Sequence, residues 1–168
     1  MALTTQLITI NDIRNYRELN ETLSSTKFAG FLYEVQNEHL RQLLGDALWY
    51  DFMNKYPDGE KYDTLFDGET YVYGDDTIYY PGLKPFLIWG WLSKYSLEGN
   101  VQHTASGNYD YMIDTGSRVE KWAINQVIEG YKQNMAIEEN KIKQYLNTKN
   151  TTYPLWIGKS RKNTTNLN

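Results

Sequence analysis

Pro81 to Asn100 reads "PGLKPFLIWGWLSKYSLEGN", and the fold turns on this stretch. Pro81-Gly82 breaks the chain. Pro85 then sits in a first helical turn, where its missing N–H costs nothing. Behind it, Leu83, Phe86, Leu87, Ile88, Trp89, Trp91, Leu92, Tyr95 and Leu97 go nearly all the way round a helical wheel. A helix this apolar must be covered on most sides, by the rest of a small bundle or by a neighbouring chain. Its longest apolar run, Phe86 to Leu92, is far shorter than the ~20 residues a bilayer span needs, so no membrane partner is expected.

The segments on either side supply the cover. Upstream, a helix is predicted from Lys27 to Leu44, with Phe28, Phe31, Leu32, Val35, His39 and Leu43 on one face. Its one histidine reads as packed rather than ligating. Gly45 suits a left-handed C-terminal cap, and Asp46 is expected to cap a second helix that stops before Pro57. Downstream, Val101 to Gly116 has no helical period, although Tyr109, Tyr111 and Ile113 alternate as in an extended chain. "SRVE", Ser117 to Glu120, has capping-box spacing. A long helix behind it aligns Ile124, Val127, Ile128, Tyr131, Met135, Ile142, Tyr145 and Leu146, with Glu139 and Lys143 paired on its outer side. The expected architecture is mainly α: a small helical bundle with a long C-terminal helix and one inserted β-hairpin. One domain is expected over 1–156, followed by a basic and polar tail over 157–168.

The hairpin is "YVYGDDTIYY", Tyr71 to Tyr80. A Tyr-Gly-Asp-Asp core also occurs in the metal-binding hairpins of viral polymerases. Two-metal chemistry needs carboxylates from more than one strand, holding ions about 4 Å apart. This chain has no room for the rest of such an enzyme, and Gly-Asp-Asp is also ordinary turn chemistry. A Gly74–Asp76 loop would set Tyr73 opposite Thr77, Val72 opposite Ile78 and Tyr71 opposite Tyr79. That register puts Val72 and Ile78 on one side and the tyrosines on the other.

Composition narrows the function classes. The 168 residues carry a net charge of −4, which argues against a dedicated nucleic-acid binder. With no cysteine there is no disulfide and no thiol nucleophile. No zinc-hydrolase, Walker-type, nucleophile-elbow or dinucleotide motif is present, so neither an enzyme nor a cofactor is expected. Tyrosine is abundant at 15, with 5 tryptophans, a surplus that fits either a Tyr-rich monomer or an interface-forming subunit. The residues that stand out for protein contact are Tyr71, Tyr73 and Tyr79 of the hairpin, Tyr109 and Tyr111 of the long loop, and Trp156 with Lys159, Arg161 and Lys162 of the tail.

Four blocks carry a family resemblance. "YEVQNEHLRQLLGDALWYDFMN" (Tyr33 to Asn54) resembles the helix–Leu-Gly–helix signature of tailed-phage head–tail connector proteins, also called adaptors. "YDTLFDGETY", "YPGLKPFLIWGWLSKYSLEGN" and "YLNTKNTTYPLW" are similar to successive blocks of connector-like proteins from Bacteroidota phages, crAss-like ones included. The similarity runs from about Asp12 to Trp156, and the order and spacing of the blocks carry it. The Tyr-rich hairpin is not matched to a general feature of that family.

The resemblance implies a helical structural protein of the virion neck, made in the bacterial host cytoplasm. It would form a cyclic homo-oligomer beneath the portal, with loops and C-terminal segments docking on the portal and on each other, and would provide the platform for the next neck or tail protein. Genomic DNA would pass through the ring, and a mildly acidic lining would let it slide. The alternative from another class is a small Mg-dependent nucleic-acid-processing or regulatory protein using Asp75 and Asp76.

Overall fold

The structure is a computed structural model that describes residues 5–17, 25–57, 59–98, 101–104, 107–110 and 121–158. The chain is mainly helical, with a long C-terminal helix and an antiparallel hairpin. In order it forms α1 (Ile10–Arg14), α2 (Ser25–Glu34), a π-helical stretch (Val35–Leu40), α3 (Arg41–Leu44), α4 (Asp46–Lys55) and α5 (Glu60–Asp67). These are followed by β1 (Glu69–Tyr73), β2 (Asp76–Tyr80), α6 (Lys84–Glu98), β3 (Val101–Thr104), β4 (Gly107–Asp110) and α7 (Lys121–Thr148). β3 and β4 make a second short antiparallel hairpin inside the segment that showed no helical period.

α6 is central, as its all-round apolar character requires. Phe86, Leu87, Ile88, Trp91 and Leu92 are buried. α2 covers one side: Trp91 packs on Phe28 and Phe31, and its indole N–H donates to the Phe28 carbonyl at 3.1 Å. At the rim, Lys94 pairs with Glu34 at 2.9 Å. α7 covers the other side. Trp89 stacks on Tyr131 at 5.8 Å, and Tyr80, just before α6, stacks on Tyr145, so α6 and α7 run antiparallel. Where α6 meets the π stretch the residue is Gly90; a Cβ there would come within 2.8 Å of Val35 Cγ1. Each large side chain buried this way contributes about 1.5–3 kcal/mol. One contiguous apolar cluster runs from Leu7 to Trp156.

The helix expected over Lys27 to Leu44 starts two residues earlier and is not regular. Its middle widens to a π stretch, marked by the Arg41 N–H bonding back to the Gln36 carbonyl. The extra residue turns the buried face. Val35 and Leu40 are buried together with Gln36, while His39, placed on the apolar stripe by a regular helix, is only half-buried. Gln36 has a use there. Its side-chain oxygen accepts from the Leu7 N–H at 2.9 Å, and its amide donates to the Thr5 carbonyl at 3.0 Å. The buried amide thus ties down the N-terminal stretch before α1 through its backbone.

Other expectations are corrected locally. Gly45 does take positive φ (77°), but Asp46 does not cap α4; Gly45 occupies that position and Asp46 pairs with Arg41 Nε at 2.7 Å. "EKYDTLFD" forms α5, a helix too short for its period to stand out beside the hairpin. Val127, expected on the inner face of α7, is 48% exposed. The predicted Glu139–Lys143 pair forms. The expected capping box at Ser117 to Glu120 lies outside the described residues.

The hairpin register is one residue away from the expected one. Its loop is Gly74-Asp75 alone, pairing Tyr73 with Asp76, Val72 with Thr77, Tyr71 with Ile78, Thr70 with Tyr79 and Glu69 with Tyr80. Gly74 has φ 63° and no non-glycine residue among the described residues has positive φ, the pattern of a two-residue II′ turn. A two-residue turn matches the twist of the strands, whereas the three-residue loop needs a bulge. The slip exchanges faces. Tyr71, Ile78 and Tyr80 turn inward, and Val72 and Tyr79 turn outward.

At the base of the hairpin two backbone segments cross. Gly68 (φ 93°) ends α5 and Gly82 (φ 81°) precedes α6. A Cβ on Gly68 would overlap the Tyr80 carbonyl oxygen, and one on Gly82 would overlap the Phe66 carbonyl. The Leu83 N–H donates to that same Phe66 carbonyl at 3.0 Å. Gly68→Ala and Gly82→Ala should each lower the free energy of unfolding by roughly 2–4 kcal/mol, from the left-handed backbone and the overlap together. Gly74→Ala meets no neighbouring atom and should cost only the positive-φ penalty, about 1–2 kcal/mol. Urea unfolding of the three variants checks the difference. Gln36→Leu, which strands the buried Leu7 N–H, should cost about 1–3 kcal/mol in the same measurement.

Candidate functional site

The hairpin β1–β2 is the element that offers itself to the outside, and tyrosines fix its base. Tyr80 lies flat on Tyr145 of α7, with ring centroids 3.9 Å apart and planes 9° from parallel. Tyr71 meets the same ring edge-on at 5.3 Å. The Tyr80 hydroxyl donates to the Leu65 carbonyl at 2.9 Å. Glu69 accepts from the Tyr145 hydroxyl at 2.8 Å and pairs with Lys149 at 3.0 Å. Tyr153, beyond the end of α7, donates to the Lys61 carbonyl at 2.6 Å. The hydroxyls of Tyr80, Tyr145 and Tyr153 therefore each have a partner, as burial of a hydroxyl requires.

Above that base the hairpin is bare. Val72 and Tyr79 stand on its outer face, 66% and 67% exposed. Tyr73 is 54% exposed on the opposite face, and Gly74, Asp75 and Asp76 make an exposed tip. The three hairpin tyrosines named from the sequence thus do not share one face. Tyr71 is buried as an anchor, while Tyr73 and Tyr79 point to opposite sides. Sequence reading missed a second exposed aromatic site. Exposed Tyr16, after α1, meets Trp89 edge-on at 5.9 Å. Arg17 sits over the same Trp89 ring. The signal was "RNYR", Arg14 to Arg17, a basic-aromatic cluster.

The other named residues fall elsewhere. Trp156 is buried against its own chain, its indole N–H donating to Asn147 Oδ1 at 2.8 Å. It closes the core over the end of α7 and so is not on the surface offered to a partner. Tyr109 lies on β4 opposite Gln102. Tyr111, Lys159, Arg161 and Lys162 lie outside the described residues. Among the described residues no three His, Asp or Glu side chains converge to hold a metal ion, and no helix is long and apolar enough to cross a membrane.

Tyrosine burial makes the fold sensitive to alkali. Burial pushes the phenols of Tyr80, Tyr145 and Tyr62 well above the ordinary range, with added effects of Tyr153 and Glu69 on Tyr145 and of Asp51 on Tyr62; burial also pushes Tyr56 up to about 12. Such a group holds its proton more tightly folded than unfolded. Its stabilisation is complete below the unfolded value near pH 10 and disappears as pH rises through the folded value. Unfolding free energy should thus be level from neutral pH to about 9.5 and fall above ~10, by up to about 1.4 kcal/mol per pH unit for each such tyrosine. Phenolate absorbance should show these rings titrating only with global unfolding. Smooth titration of all 15 tyrosines in the folded state would contradict it.

No curated protein matches the chain, and no solved structure does. The model of a family of unknown function, DUF6712, matches residues 40–166, from the end of the π stretch through α7 and beyond. That span is more than half of the chain, and the chain belongs to the DUF6712 family.

Proposed function

We propose that this chain is a structural subunit of a tailed-phage neck, a head–tail connector that forms a ring beneath the portal around the DNA channel and carries the next neck or tail protein. The observation that carries the reading is the hairpin: rigidly rooted by Tyr71, Tyr80 and Tyr145, yet exposing Val72, Tyr73 and Tyr79. Exposed aromatics on a fixed scaffold are the make-up of a protein interface. The resemblance supports the same reading. Its blocks coincide with core-building parts: α3–Gly45–α4, α5 with Gly68, Gly82 with α6, and the α7 end with Tyr153 and Trp156. Those blocks account for the scaffold and leave the outward half of the hairpin for specific contact. A net charge of −4 suits a channel through which DNA slides.

The tail proposal is sharpened by the packing. Docking falls to the basic residues Lys159, Arg161 and Lys162, because Tyr153 and Trp156 are occupied in the core. Truncation after Gly158 should leave thermal unfolding within about 0.5 kcal/mol of the full chain and weaken binding to the portal. Truncation before Tyr153 should cost more than about 3–5 kcal/mol, the loss expected for one buried aromatic, because it removes two.

The function is tested on the particle. Val72→Thr with Tyr79→Ser should leave stability unchanged within about 0.5 kcal/mol and abolish incorporation of the protein into virions. Electron microscopy of the neck at side-chain resolution should place the chain in a ring against the portal. Virions that lack the protein, or that incorporate the double variant normally, would overturn the proposal.

A further inference from the structure

α7 is buried along one side by Ile128, Ile142, Tyr145 and Leu146. On its opposite side, over about four turns, the outermost stripe is Trp122, Gln126, Glu129 with Gly130, Gln133 and Ile137, at spacings of three and four. Trp122 and Ile137 are 63% and 52% exposed, and Gln126, Glu129 and Gln133 are exposed between them. A Cβ on Gly130 would meet nothing within 4 Å among the described residues, so another backbone has room to come close there. The stripe is symmetric about the Glu129–Gly130 peptide bond. Trp122 and Ile137 stand equally far on either side of it, as do Gln126 and Gln133. An apolar residue at each end with a matching amide inside it is the pattern of a surface that fits its own reversed copy, residue i on j and j on i.

We infer that α7 pairs, antiparallel and along this stripe, with α7 of a second copy of the chain. The two-fold axis passes beside the Glu129–Gly130 bond. It lays Trp122 of each copy on Ile137 of the other and sets Gln126 against Gln133, whose amides each offer a donor and an acceptor. The same axis brings Glu129, exposed on one flank of the stripe, beside exposed Lys132 of the second copy, and Lys132 beside that copy's Glu129. The flank is thus complementary in charge as the stripe is in kind. Reversal of this same sequence supplies every match, so the occupant is a second copy. Antiparallel pairing also sets the two helix dipoles in opposition, the favourable sense. The stripe is about 22 Å long. One helix face of this length falls at or below the ~1,200 Å² low end of stable interfaces, so the pair is a weak, micromolar one. A two-fold contact closes on two copies and does not repeat round a ring. It is the state of the free chain, and it stands whether or not the chain enters a neck.

The chain has no cysteine, so introduced thiols report this contact without background. Gln126→Cys and Gln133→Cys chains, mixed and mildly oxidised, should give a covalent heterodimer in roughly tenfold excess over either homodimer, because the antiparallel register holds like positions about 10 Å apart along the axis, beyond disulfide reach. Sedimentation equilibrium of the unaltered chain should show a concentration-dependent dimer, which Ile137→Glu should weaken ~tenfold or more by placing a charge against Trp122. Glu129→Lys and Lys132→Glu should each weaken the dimer, and the two together in one chain should restore it. Circular dichroism checks that each variant is folded. A chain that stays monomeric up to millimolar concentration, a prevailing Gln126→Cys homodimer as parallel pairing would give, or a charge exchange that fails to restore association overturns the inference.

Discussion

Two peptide segments touch at Gly68 and Gly82, and the layout of the molecule depends on that contact. The end of α5 and the start of α6 come so close that neither position has room for a side chain. The Leu83 N–H to Phe66 carbonyl bond and the Lys84–Asp67 pair hold the crossing from both sides. The chain therefore leaves the helical body at Gly68 and returns to it at Gly82. The hairpin is an excursion that begins and ends at one place. It can project without disturbing the order of the helices, and its base inherits the rigidity of the core around α6.

Tyrosine has two separate uses here. A surplus of 15 fitted either a Tyr-rich monomer or an interface-forming subunit, and Tyr16, Tyr73 and Tyr79 are exposed. Tyr62, Tyr80, Tyr145 and Tyr153 do the opposite: their rings fill the core, and their hydroxyls reach the Leu65 and Lys61 carbonyls, Glu69 and Asp51. The ring supplies apolar area while the hydroxyl meets polar groups that a leucine would leave unpaired. Composition cannot separate these uses, because both draw on the same side chain.

Much of the scaffold was legible. The apolar wheel of α6, the stripe of α7 and the Gly45 break are strong periodic or steric signals, and each became the expected element. The misreadings have local causes. The hairpin register turned on whether Asp76 belonged to loop or strand, and the backbone twist that favours two-residue turns decided it. The π stretch was invisible because a single extra residue leaves the composition unchanged while shifting the phase of the pattern. Trp156 looked like an external anchor because its partner, Asn147, lies nine residues back near the end of α7, and only the chain reversal after that helix brings the two together. Of the interaction surface, the exposed tyrosines were visible as residue types, but which face each took depended on the register.

The π stretch makes the chain intolerant of length change at one point. Shortening Val35–Leu40 by a residue would restore α-helical hydrogen bonding and wind everything before it round by about 100°. Phe28 would swing away from Trp91, and the amide of Gln36 would lose Leu7 and Thr5 together. A deletion there is thus a rearrangement of the whole N-terminal quarter.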